Sequence, residues 1–392
     1  PLFDEQETVP EKTTYYDSAY FDEIYHPRTA WEHIRGIEPY EISHPPLGKL
    51  IMGVGIRLFG MTPFGWRFMG TLFGVGMLPL LYVFLKNLFG RTSIATCGTV
   101  LLAADFMHLT QTRLATIDTY AFFFILLMYY FMYRYLTLPA GAPFRTCALP
   151  LFLSGLFWGI GAASKWTVIY GCTGLVALYF IGLYQKLRDW PADGETGARQ
   201  PGRLKWAFQI LAFSVLVFAL IPAAIYTLSY LPYAWAEGDS SLTGLVGAMW
   251  ENQRYMLSYH SGVTDTHPYS SRWYQWLFDI RPILYYMDNS VPGYTTRFAA
   301  FVNPVVCWGG LLAVLACAAQ AVRRRCAKAL FIVIGYLAQL VPWFFIGRIT
   351  FAYHYFPSVL FLILALCYVF YSLSEQEELI AWKPAMYAVT AG

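Results

Sequence analysis

Residues 148–184 read ALPLFLSGLFWGIGAASKWTVIYGCTGLVALYFIGLY, with a single charged side chain, Lys165, near the middle. A helix crosses a hydrocarbon core in about 20 residues. The run is therefore too long for one crossing and long enough for two. It is either one helix interrupted at Lys165 or a hairpin with Lys165 and Trp166 at its tip. Loop charge decides between them. Lys86 and Arg91 share one loop, Arg134 and Arg145 a second, Lys186, Arg188, Arg199, Arg203 and Lys205 a third, and Arg323, Arg324, Arg325 and Lys328 a fourth. Basic loops stay on the cytoplasmic side. Only a hairpin at 148–184 keeps the second and third of these loops on the same side.

Working outward, apolar runs near 64–86, 92–110, 116–136, 148–163, 167–184, 206–228, 299–322, 329–346 and 356–373 predict nine crossings. Composition agrees. Hydrophobic residues make up 57% of the 392, and charged residues only 13%, against about 25% charge in soluble domains. An all-α polytopic membrane protein follows, and disordered, collagen-like and disulfide-stapled classes are excluded. A net charge of +3 is too small to imply a nucleic-acid partner. The seven cysteines lie in or beside apolar runs with no metal-ligand spacing, which reads as core packing. No metal site is expected.

The alternation places 1–63 and 229–297 outside and 185–205 and 323–328 in the cytoplasm. Four units result: a first outward loop, 1–63; a helical core, 64–228; a second outward loop, 229–297; and C-terminal helices, 298–392. Within the first unit, 49–60 is too short to cross and reads as an interfacial helix anchored by Lys49 and Arg57. The chain starts at Pro1, and 379–392 reads like the opening turns of another span. A longer protein, cut at both ends, is the expectation.

Charges beside apolar spans are costly and mark function. They gather on the outer side: Asp22 and Glu23 in YFDEIYHPR, His44 and Lys49 in SHPPLGK, Arg113 and Asp118 in TRLATIDTY, Lys165 in SKW, and Arg348 and His354 in RITFAYHYFP. Each has an ordinary explanation, such as a solvated loop acid, an anchor or a structural ion pair. Their occurrence together on one face does not. Asp105 and His108 form a separate pair within a span, readable as a buried hydrogen-bonded couple or a proton relay.

An outward DE pair, HPPLGK before a short helix, R-x-x-x-x-D, SKW and R-x-x-x-x-Y-H-Y-x-P, in that order from about Tyr20 to Ser358, resembles the protein O-mannosyltransferase family. The resemblance implies the GT-C membrane fold and transfer of mannose from a polyprenyl-phosphate donor to a hydroxyl, with inversion at the anomeric carbon. The loop at 229–297 is too short for the β-trefoil that eukaryotic members carry there, which points to a bacterial-type member. The Ile-Tyr-His-Pro-Arg that follows DE departs from the family pattern and bears on acceptor identity.

A phosphate leaves as an anion, so this chemistry needs one carboxylate base and a cationic cradle, not the two carboxylates of glycoside hydrolysis. Asp22, in the family's DE motif, is expected to be the base, with Glu23 orienting it or the acceptor. Arg113, Lys165 and Arg348 are the expected phosphate ligands, converging near Asp22. Asp118 would hold Arg113, His44 and Lys49 would shape the sugar pocket, and His354 would touch sugar or phosphate. The aromatic run 272–286 reads as a sugar- or acceptor-facing surface or an interfacial belt. No cofactor is expected beyond the lipid-linked donor. The expected partners are that donor, membrane lipid and a hydroxyl acceptor, Ser or Thr of exported proteins, with chemistry on the outer face of a bacterial plasma membrane. A sister transferase acting on a lipid or cell-wall polymer is the alternative, and a lipid-sugar flippase ranks below it.

Overall fold

The computed structural model describes residues 17–191, 202–289, 292–375 and 382–391. A 3₁₀ turn, Phe21–Ile24, leads into α1 (His26–Arg35) and α2 (Leu47–Phe59). Long helices follow: α3 (Pro63–Phe89), α4 (Thr92–Ala103), α5 (Phe106–Gln111), α6 (Asp118–Leu136), α7 (Phe144–Ser164) and α8 (Thr167–Arg188). Next, α9 (Arg203–Val215) continues through a π turn, Leu216–Leu220, into α10 (Ile221–Leu228). The stretch 229–300 holds α11 (Leu231–Ala236), α12 (Leu242–Gly262), α13 (Trp273–Trp276) and an antiparallel hairpin of β1 (Ile283–Asp288) and β2 (Thr296–Ala300). The chain closes with α14 (Gly310–Arg323), α15 (Ala327–Leu340), α16 (Phe356–Ser374) and α17 (Trp382–Ala391).

Seven helical stretches among the described residues are long and apolar enough to cross a membrane: Pro63–Phe89, Phe144–Ser164, Thr167–Arg188, Arg203–Ala236, Val305–Arg323, Ala327–Phe345 and Ala352–Ser374. This is an integral membrane protein. The expected count of nine is not reached by that measure. The span at 92–110 breaks at Ala104, because Asp105 turns out of the helix to cap α5 through the His108 amide at 2.9 Å. Asp105 also accepts from the Asn303 amide at 2.8 Å, so it is a structural cap. His108 instead faces the Gly74 carbonyl at 3.2 Å; the expected Asp105–His108 side-chain couple does not form. In α6, five tyrosines and Arg134 dilute the apolar character, and the helix is buried among α3, α7, α8 and α16.

The hairpin at 148–184 is present as two helices, α7 and α8, separated at Lys165, whose backbone is extended (φ −159°, ψ 137°). Both pack on α6. α7 also lies against the α9–α10 rod, and a Cβ at Gly155 would meet the Val217 carbonyl at 2.2 Å. That close approach is the usual use of small residues in membrane helices. Pro222 cannot donate to Phe218, four residues back; the Trp158 indole N–H supplies the missing bond at 3.1 Å.

Candidate active site

Glu23 is buried and fully engaged. The Arg67 Nε and guanidinium NH2 groups donate to its two oxygens at 2.8 Å each, and the Ala115 and Tyr20 amides add bonds at 2.8 and 3.1 Å. One carboxylate thereby ties the 3₁₀ turn to α3 and to the loop before α6. It has nothing left to offer an acceptor, so its expected role narrows to holding the turn. Asp22, its neighbour, is half-buried, with no hydrogen bond to its carboxylate among the described residues. Burial pushes Asp22 above the ordinary carboxylate value, opposed by the charges of His26 and Lys165.

Lys165 is buried at the α7–α8 tip, and its Nζ donates to Asp118 Oδ1 at 2.7 Å. Asp118 opens α6, where the helix N-terminus favours a carboxylate. The expected Asp118–Arg113 pair is therefore replaced by Asp118–Lys165: the anchor holds a different cation. Lys165 also lies over the Tyr353 ring at 5.4 Å. Its cavity, about 490 Å³, is lined by His44, Lys165, Trp166, His260, Arg348 and His354 among others. Arg348 makes no salt bridge to an acid among the described residues and reaches only the Ile349 carbonyl. A second, polar cavity of about 530 Å³ adjoins, sharing Val263, Gly347 and Arg348 with the first.

Arg113 is elsewhere. It is exposed and lines a separate cavity of about 850 Å³ beside α3, with Arg67, Phe64, Leu72 and Val75. The expected three-cation convergence thus reduces to Lys165 and Arg348. Lys49 differs too: it is not an interfacial anchor and does not line the cavity. Fully buried, it donates to the Glu41 carboxylate at 2.8 Å and to the Glu41 and His44 carbonyls at 2.7 and 3.2 Å. Burial alone would raise Glu41; Lys49, with His44 and His26, outweighs it and holds Glu41 well below the usual carboxylate range.

His44 sits 3.2 Å from Glu41 through Nδ1, and burial lowers it to about 3. His260, on α12, faces the Ser43 carbonyl at 2.9 Å and is lowered by burial to about 4. Both imidazoles are neutral at physiological pH and serve as hydrogen-bonding walls. His354 is packed against Trp343 and Trp276, with ring centroids at 4.5 and 6.1 Å. The run 272–286 is thus chiefly a buttress: Trp273 stacks on Phe344 at 3.8 Å and Tyr285 accepts from Gln111 Nε2 at 2.8 Å.

Four participants escape the sequence reading: Arg67, His26, Glu41 and His260. Signals existed for three. Arg67 is a cation at the outer end of a span, His26 lies four residues after Asp22, and Glu41 lies three before His44. His260 had none, since only folding brings α12 over the SHPP loop. There the Trp166 indole donates to Tyr226, Tyr226 to Gln253, and Asn252 to the Ile42 carbonyl, at 2.9, 2.9 and 2.8 Å.

Comparison with known proteins follows the same lines. The model of the family described as dolichyl-phosphate-mannose-protein mannosyltransferase matches residues 58–236, and that of the C-terminal four TMM region of protein-O-mannosyltransferase matches 245–391. A polyprenol-phosphate-mannose–protein mannosyltransferase of Mycobacterium tuberculosis is 26% identical over 372 residues, covering 83% of this chain and 70% of its own. The Saccharomyces cerevisiae Pmt1-Pmt2 complex bound to the sugar donor superposes with a TM-score of 0.80 at 14% identity, covering 96% of this chain and 85% of that one. ArnT from Cupriavidus metallidurans bound to undecaprenyl phosphate gives 0.60 at 16% identity, over 96% and 58%. These likenesses place the fold among GT-C enzymes.

Proposed function

The chain belongs to the protein O-mannosyltransferase family, and from that premise we propose that it moves a mannosyl residue from a polyprenyl-phosphate donor to a hydroxyl of a protein. The observation that carries the site assignment is the separation of charge around one cavity. Lys165 and Arg348 line it; Asp22 is not among its lining residues, but its carboxylate, without a hydrogen bond among the described residues, lies in the field of Lys165. In this reading the phosphate sits between Lys165 and Arg348, the latter free to bind it bidentately. Asp22 takes the proton of the acceptor hydroxyl as its oxygen attacks the anomeric carbon from the opposite side. The bond to phosphate breaks with its electrons on oxygen, and the two cations stabilise the departing charge. His44 and His354 hydrogen-bond the sugar, and the adjoining polar cavity admits the acceptor chain. The reaction proceeds on the extracytoplasmic face of a bacterial plasma membrane, with 1–63 and 229–297 as the two outward units.

The test is to give purified full-length protein a donor labelled in both lipid and sugar, with a Ser/Thr-rich polypeptide. Release of polyprenyl phosphate in step with sugar incorporation into polypeptide is expected. Label passing to a lipid or polymer in its place would favour the sister-transferase reading. Movement of intact donor across the bilayer without cleavage would favour a flippase and overturn the proposal.

A further inference from the structure

Phe21, the residue before Asp22, has φ of +50°. A bulky side chain rarely takes this left-handed conformation, and such outliers persist only where the surroundings over-determine them. The surroundings here are an aromatic box. The Phe21 ring meets His267, Tyr285 and Phe351 with centroids at 5.0, 5.1 and 5.5 Å, the latter two edge-on. The walls come from three segments far apart in sequence, and two of them are pinned independently. Tyr285 on β1 accepts from Gln111, and β2 is tied to α5 by Thr110 Oγ1 donating to the Ala299 carbonyl at 3.2 Å. The segment before Phe351 is fixed by Thr350, whose Oγ1 donates to the Ser271 carbonyl at 2.6 Å and whose carbonyl accepts from the Ser271 amide at 2.9 Å. Tyr20 on the other side packs against Tyr286 and Phe298 of the same hairpin.

We propose that Phe21 is a positioning residue for transfer: the aromatic box built by the second outward unit and the loop before α16 locks its left-handed backbone, and that lock directs the Asp22 carboxylate into the site. The turn Phe21–Ile24 has two ends to fix. Glu23 fixes one through Arg67 and the Ala115 amide, and Phe21 fixes the other. Asp22 stands between the two locks, with its carboxylate left without a hydrogen bond among the described residues. The proposal rests on the reading of Asp22 as base.

The experiment uses full-length protein and compares Phe21→Ala, Phe21→Gly and Asp22→Asn, measuring kcat, KM for the donor and the pH dependence of kcat. Misplacing a reacting group by about 1 Å costs on the order of 100-fold. Phe21→Ala is therefore expected to lose about 10- to 100-fold in kcat with donor KM changed less than about twofold. Phe21→Gly, which tolerates the backbone but lacks the ring, should lose a similar factor, because the box directs the turn. In both, the acid limb of kcat should move down toward ordinary carboxylate values as the opened box lets water reach Asp22. The other groups around Asp22, namely His26, Lys165, Asp118, Glu41, Tyr285, Tyr353 and Tyr259, are unchanged in the Phe21 variants. A role in stability alone would lower the yield of folded protein without moving that limb. If Phe21→Ala does not accumulate, Tyr285→Leu removes one wall from another element and should shift kcat and the limb in the same direction. Near-normal kcat with an unmoved acid limb in the Phe21 or Tyr285 variants, while Asp22→Asn is inactive, overturns the positioning role. Retained transfer by Asp22→Asn overturns the underlying base assignment instead.

Discussion

Asp22 and Glu23 are chemically near-identical neighbours with opposite fates. The Glu23 carboxylate receives four hydrogen bonds, two of them from a guanidinium, whereas the Asp22 carboxylate receives none among the described residues and is raised by burial above its ordinary 3.8. A free, raised carboxylate is suited to accept a proton and poorly suited to stabilise a fold. Asp22→Asn should therefore lose about 10²- to 10⁴-fold in transfer, with donor affinity kept or improved by removal of a charge facing the phosphate. Raised in the folded state, Asp22 contributes stability that is present below its ordinary pKa and lost as pH rises through the raised one. Asp22→Asn should thus melt at the same temperature as wild type or higher at neutral pH. Glu23→Gln should behave in the reverse way. Breaking a buried ion pair from one side costs about 3–5 kcal/mol, so thermal unfolding in detergent should drop sharply, with activity lost through folding. If Glu23→Gln melts normally while Asp22→Asn unfolds, the two roles are exchanged. Lys165 and Arg348 could be singled out in sequence because each is an expensive charge beside an apolar run, and Asp22 because it stands in the DE pair. Partner choice was not. Arg113 and Asp118 are five apart in the chain, yet Asp118 faces Lys165, 47 residues away, and only helix packing decides that.

The legibility of elements followed the strength of their pattern. The α7–α8 hairpin could be read because its length and the surrounding basic loops admit one solution. The interfacial helix was legible at 49–60 and is found at Leu47–Phe59, but Lys49 turns inward to Glu41 instead of anchoring it. The β1–β2 hairpin was hidden: its alternation is brief, and the end of β2 overlaps the apolar stretch read as a span from 299. The break at Asp105 was hidden as well, since an aspartate in an apolar run looks the same whether it caps a helix or is buried within one. Close packing of α7 on α9–α10 gives a test at this scale. Gly155→Val puts a branched side chain where a single Cβ already lies 2.2 Å from the Val217 carbonyl. Overpacking of this kind costs about 1–3 kcal/mol, and the melting temperature should fall accordingly. Leu149→Val, on the exposed side of the same helix, should leave it nearly unchanged. Equal effects at the two positions would mean that α7 does not pack on α9–α10 as described.

Across the whole molecule, charge is sorted to two ends. One end gathers Glu23–Arg67, Asp118–Lys165 and Glu41–Lys49. The other gathers Arg91–Glu375, Lys328 over Tyr371, and Lys186 on the Leu136 and Leu138 carbonyls. Helices of 21 to 27 residues, α3, α7 and α8, join the two, at about 1.5 Å per residue long enough to span the hydrocarbon. By the basic-loop rule the Lys- and Arg-rich end is expected in the cytoplasm, and the end holding Asp22, on the proposed reading, outside. Single cysteines at Ser240, exposed before α12, and at Gly194, in the basic connector outside the described residues, test this in a background lacking reactive native thiols. A membrane-impermeant thiol reagent applied to intact cells should label Ser240→Cys and leave Gly194→Cys untouched until the membrane is opened. Labelling of both from outside would require an even number of crossings between 194 and 240. The α9–α10 rod would then not span, and the proposed side of the Asp22 site would lose its support. Labelling of Gly194→Cys alone would invert the molecule, placing the site where cytoplasmic donors reach it and exported polypeptides do not.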